Sequence, residues 1–174
     1  SFMRQALGTQ NMPPNQLLIG FALFLSVFVM MPTGEQIYQY AVKPYTEKKI
    51  TTTEALTVVE RSVRNFMSKQ VRKTDIQLFY DVTNAASPAT IEEVPTHYLI
   101  PAFIISELKT AFQIGFLLYI PFLVLDMVVA SVLMAMGMMM LPPVLVSLPF
   151  KILLFVLVDG WHLVTGAILR SFNT

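Results

Sequence analysis

The chain sets two long runs with almost no polar position on either side of a central stretch where polar and apolar residues interleave. The first run is Leu17–Met31, LLIGFALFLSVFVMM, fifteen residues without a charge. That is short of the ~20 apolar residues that cross a bilayer unaided, so the run either extends into Pro13–Gln16 or is covered by neighbours. Pro13 and Pro14 suit a helix start and Pro32 a helix stop. The second run, Leu99 to Met136, stays nearly all apolar for 38 residues. As one α-helix it would be on the order of 57 Å long, against ~30 Å of hydrocarbon. One simple span cannot absorb it, and Pro101 and Pro121 offer a kink or a break. A second apolar helix is predicted over Val144 to Leu169.

The interleaved stretch reads as amphipathic helix. Thr51-Thr52-Thr53-Glu54 forms a capping box, with Thr51 as N-cap and Glu54 reaching back to its backbone N–H. Leu56, Val59, Val63, Phe66 and Val71 then recur at helical spacing among Glu60, Arg61, Arg64, Lys69, Arg72 and Lys73. Glu35–Tyr45 and Asp75–Val82 are two shorter helices, set apart by Pro44 and ended by Asn84–Pro88. The pattern predicts an all-α fold of membrane type in three parts. Residues 1–32 are an N-terminal apolar arm, 33–98 a small charged helical subdomain, and 99–174 a long kinked helical hairpin.

Composition sets the class. Hydrophobic residues make up 55% of the chain and charged residues 13%, where a soluble domain carries roughly 25% charged. A net charge of +1 gives no basic field for nucleic acid, which excludes that partner. Zero cysteines exclude a disulfide framework and any thiolate metal or redox site. Of the 23 charged residues, 16 lie between Thr33 and Tyr98, eight of each sign, and only six in the last 76 positions.

Those last six have a pattern. Residues 134–143 read Met-Ala-Met-Gly-Met-Met-Met-Leu-Pro-Pro, a turn holding five of the eleven methionines and no polar side chain. A water-facing turn would carry Asn, Asp, Ser or charge, so this one is expected to be buried and deformable. Gly137 fits the position just past one helix, and Pro142 and Pro143 the first turn of the next. A hairpin centred between Met138 and Met139 sets Asp126 opposite Lys151 and Glu107 opposite Arg170, both opposite in sign. Centring it on the prolines instead sets Asp126 against Asp159, like against like. The hairpin with a methionine apex is therefore preferred, with pairing of each charge to a different subunit as the open alternative. Glu107 and Lys109 point about 160° apart on a helix, so they look to different neighbours.

Enzymatic chemistry finds no foothold. His97 and His162 stand alone, without HExxH or acidic neighbours at ligand spacing. Asp126 and Asp159 invite comparison with an intramembrane dyad or proton relay, but cationic partners favour structural pairing. Neither a glycine-rich phosphate loop nor a nucleophile triad is present. No enzyme activity, metal or cofactor is expected.

The stretches MRQALGTQNMPPNQLLIGFALFLSVFVMMP and LIPAFIISELKTAFQIGFLLYIPFLVLDMVVASVLMAMGMMMLPPVLVSLPFKILLFVLVDGWHLV resemble the FliP family of flagellar type III secretion export-gate proteins, and are similar to the equivalent proteins of virulence injectisomes. The resemblance covers both arms; the middle matches in character only. It implies a pentamer that assembles with FliQ-like and FliR-like membrane subunits and a FlhB-like partner into a helical cone at the inner membrane of the flagellar basal body. Unfolded export substrates would pass through that cone. It also implies that Met138, Met139 and Met140, with Met136, line the channel as a gasket, that Glu107 and Lys109 lie at subunit contacts, and that the middle segment is periplasmic. Family members carry a signal peptide and a further apolar segment ahead of MRQALGT, so a longer parent protein is expected. The competing class is a self-sufficient ion-coupled carrier, which calls for an internal repeat with matching broken helices; no convincing repeat is visible.

Overall fold

A computed structural model describes residues 2–138 and 140–172. The regular elements among them are all helical: α1 (Phe2–Leu7), α2 (Asn15–Ile37), a π-helical stretch (Tyr38–Val42), α3 (Lys43–Thr46), α4 (Thr52–Gln70), α5 (Lys73–Thr83), a 3₁₀ turn (Ile91–Glu93), α6 (Thr96–Ala135), α7 (Pro143–Leu157) and α8 (Gly160–Ser171). The all-α reading holds. Two stretches, Asn15–Thr46 and Thr96–Ala135, are long and apolar enough to cross a membrane.

Prolines interrupt fewer helices than the sequence led us to expect. Pro32 lies inside α2, and helix continues through the π stretch into α3, so neither Pro32 nor Pro44 ends an element. In so apolar a run the backbone has no better partner than itself, and a missing N–H is absorbed by a local change of register. The Lys43 N–H accordingly donates five residues back, to the Tyr38 carbonyl, a π offset placed just before Pro44. Pro101 and Pro121 likewise leave α6 unbroken over its 40 residues. The helix expected from Val144 to Leu169 fails in the opposite sense, for α7 and α8 bend by 62°. Asp159, at the break, has φ 51°, a left-handed conformation that ends a right-handed helix. A Cβ on the next residue, Gly160, would lie 2.2 Å from the Phe155 ring, so only glycine lets that ring pack there.

The chain divides into two compact units. One comprises residues up to Ala22 together with Ala111–Ser171; the other comprises Leu23–Thr110 together with Phe172. In the latter, α4 begins at the capping box. Thr51 Oγ1 accepts from the Glu54 N–H at 3.3 Å, and the Glu54 carboxylate accepts from the Thr51 N–H at 2.7 Å. Of the apolar stripe, Leu56 is exposed, Val63 and Phe66 are half-buried, and Val71 is buried beside Met67, which the stripe had missed. Ile76, Tyr80, Val94, Leu99 and Ala102 complete that core. Ser106 Oγ donates to the buried Asp75 carboxylate at 2.7 Å and accepts from the Arg72 N–H at 3.0 Å, joining α5 to α6.

In the other unit, α1 packs on the helices around the methionine turn. Ala6 and Leu7 form its core with Phe122 and Phe155. Phe2 meets Phe112 edge to face, ring centroids 5.2 Å apart. It lies so close over Gly115 that a Cβ there would sit 2.8 Å from its ring.

Candidate gate hairpin

In the first unit, contacts between α6 and α7 fix how the chain reverses. The Phe122 and Phe155 rings pack with centroids 6.4 Å apart. One helical turn nearer the reversal, Lys151 Nζ lies 2.6 Å from Asp126 Oδ2. The two pairs share a midpoint between Met138 and Met139, so the chain reverses within the methionine segment. Asp159 stands exposed at the α7–α8 break, where its carbonyl accepts the Leu163 N–H at 3.1 Å.

The Asp126–Lys151 pair is built for burial. Lys151 is 1% exposed, and an unpaired ammonium in such a place would cost several kcal/mol of desolvation. The short ionic contact offsets this, and Ser147, itself fully buried, donates its hydroxyl to the other oxygen of Asp126. One turn separates Ser147 from Lys151 on α7, so a single helix face presents both donors to the carboxylate. The end of α1 closes the site from another side. Gly8 adopts φ 72°, and a Cβ there would lie 3.7 Å from Lys151 Nζ and 3.6 Å from both Leu148 and Val144. Its N–H donates to the Gln5 carbonyl at 3.1 Å and the Thr9 N–H to Arg4 at 3.0 Å, the double bond pattern of a Schellman end.

The same motif shapes the turn. Gly137, at φ 75°, donates to the Met134 carbonyl at 3.0 Å, and Met138 donates to Leu133 at 2.9 Å. These bonds satisfy the last carbonyls of α6 and send the chain out of the helix without a polar side chain. Pro142 and Pro143 then start α7, with Pro143 as its first residue, where a missing N–H costs nothing. Met134, Met136 and Met138 are 62%, 61% and 42% exposed, and Met140 is 98% exposed; Met139 lies outside the described residues. The expectation that the turn is buried is therefore corrected for the single chain. Its apolar side chains project from the hairpin tip beyond the packing of α6 against α7.

The remaining sequence candidates lie elsewhere on α6 and on α8. Glu107 and Lys109 lie on α6 in the second unit, Glu107 half-buried in the field of the Arg72 guanidinium and Lys109 exposed. Arg170 lies near the end of α8 in the first unit, exposed, its guanidinium resting against Gly166.

Comparison with known proteins decides the family: residues 1–168 match FliP. The chain belongs to the FliP family. Flagellar biosynthetic protein FliP of Bacillus subtilis is 56% identical over 172 residues, covering 99% of this chain and 78% of that protein. The FliP of Cereibacter sphaeroides is 54% identical over 175 residues, covering 99% and 57% respectively. That of Caulobacter vibrioides is 52% identical over 171 residues, covering 98% and 64%. The chain thus spans under two thirds of two of these three relatives.

Two residues around the Asp126–Lys151 pair escaped sequence reasoning. Ser147 was readable in principle, as the one polar side chain in the apolar start of α7 and four residues before Lys151. Gly8 carried no signal, because its role depends on where α1 docks.

Proposed function

We propose that the chain is a pore-forming core subunit of the flagellar type III export gate, passing unfolded protein substrates across the bacterial inner membrane and closed by a methionine gasket. The observation that carries this reading is the FliP match over residues 1–168, together with relatives named flagellar biosynthetic protein. The exposed turn supplies the physical fit. A tip that met water would carry polar residues; a tip that meets copies of itself does not need them. Copies around an axis would bring Met136, Met138, Met139 and Met140 into a ring of thioethers. Such a ring excludes water and ions by dewetting, while each unbranched side chain can rotate aside for a polypeptide of any sequence. In this reading the chain acts as a homopentamer with FliQ-like, FliR-like and FlhB-like partners, residues 33–98 face the periplasm, and no cofactor takes part.

Alanine at Met136, Met138, Met139 and Met140 in the full-length export complex tests the gasket. Ion leak should rise or export fall, and unchanged conductance and export would refute it. A stable detergent-extracted monomer that accumulates solute in liposomes would favour the ion-coupled carrier instead.

A further inference from the structure

We infer that the methionine turn is a sulfoxidation site through which peroxide opens the seal, an inference that rests on the gasket reading above. The chain has eleven methionines and no cysteine, so thioethers are its only oxidisable sulfur. Their susceptibility follows exposure, and the turn gathers four exposed thioethers. Met134, Met136, Met138 and Met140 are 62%, 61%, 42% and 98% exposed within seven residues, whereas Met67, on the core face of α4, is 7% exposed. Met12, Met31 and Met127 are exposed to a similar degree, 65%, 58% and 62%, but lie outside the turn. Around Gly137 the space is open, with nothing within 4 Å of where a Cβ would sit.

The chemistry is a two-electron transfer. The thioether sulfur attacks one oxygen of hydrogen peroxide, the O–O bond breaks, an S–O bond forms, and the second oxygen leaves as hydroxide, which takes the proton still carried by the transferred oxygen and becomes water. Sulfur is oxidised and peroxide reduced. The product is a strongly dipolar sulfoxide, a polar group where there was none. Because the turn contains no other polar side chain, its hydration is set almost entirely by these sulfurs. A ring that closed by repelling water becomes a ring of hydrogen-bond acceptors, and the dewetted barrier fills. Sulfoxide reductases, one for each sulfur epimer, return it to the apolar state.

The test uses the full-length export complex in liposomes, treated with hydrogen peroxide and followed by conductance and by mass-spectrometric mapping of oxidised methionines. The turn methionines should gain oxygen severalfold faster than Met67. Leak should rise in step, and methionine sulfoxide reductase should restore the seal. Turn methionines that oxidise no faster than Met67 would overturn the inference and leave the gasket reading intact. Turn oxidation without leak would also overturn it; the alanine variant then separates the two ideas, since leak there preserves the gasket and its absence removes both. With leucine at positions 134, 136, 138, 139 and 140, the ratio of leak after peroxide to leak before should fall to unity. A persistent peroxide response in that variant would place the effect elsewhere and sink the proposal.

Discussion

A lysine 1% exposed among apolar helices must give up its charge or find an anion, and Lys151 has Asp126 at 2.6 Å. Removing one partner strands the other, so Lys151→Met and Asp126→Leu alone should each cost ~3–5 kcal/mol, while the double replacement should recover most of that loss. Thermal unfolding of the purified full-length protein in detergent checks this, and additive losses would show that the two side chains do not act as a pair. Gly8 belongs to the same site. Its left-handed backbone makes Gly8→Ala cost ~1–2 kcal/mol, with Val144, Leu148 and Lys151 Nζ within 3.7 Å of the new methyl. Opposite charges equally spaced about a turn are legible in a sequence because a hairpin preserves spacing. The roles of Ser147 and Gly8 are not, because they depend on helix rotation and on the docking of α1, which leave no periodic trace.

At the scale of elements, what was legible followed the strength of local signals. The box at Thr51 and Glu54 is complete within four residues and could be read directly. The prolines misled because their cost assumes a helix with alternatives, and in apolar α2 and α6 the chain has none. The α7–α8 break went unread because the apolar run continues on both sides of Asp159-Gly160 and masks a dipeptide that is itself a turn signal; the fit of Phe155 over Gly160 then fixes the bend. Since Asp159 sits at φ 51°, Asp159→Gly should be tolerated and Asp159→Val should destabilise by ~1–3 kcal/mol; equal stability of the two would contradict that strain. At the start of α4, bonds first from the Thr51 backbone N–H and then from its hydroxyl hold the Glu54 carboxyl below its usual 4.5. A depressed carboxylate stabilises fully above its unfolded value and loses that contribution as pH falls through the folded one. Protection of the first-turn amides of α4, taken relative to their intrinsic exchange at each pH, should therefore fall below about pH 4.5, and Glu54→Gln should flatten that response.

For the whole molecule, the governing fact is how much apolar surface the single chain leaves uncovered. Phe24 on α2, Phe116 on α6 and Val156 and Leu157 on α7 are 66%, 64%, 69% and 73% exposed, and a patch of that kind calls for lipid or for protein. The charges of α6 help to choose between them. Glu107 and Lys109 point to different sides of a helix long and apolar enough to span a membrane, and a charge at the centre of a lipid-bathed helix costs about 2.5–3.5 kcal/mol. One of them can snorkel to a polar boundary, but two on divergent faces are most economically placed where neighbouring subunits cover the helix. Charge reversal discriminates. If Glu107 faces a neighbouring subunit, Glu107→Lys should dissolve the oligomer, seen as loss of the assembled mass in mild detergent, while the variant still inserts into the membrane. An assembled mass unchanged by Glu107→Lys would mean that this carboxylate is served by Arg72 of its own chain and that subunit contacts lie on another face.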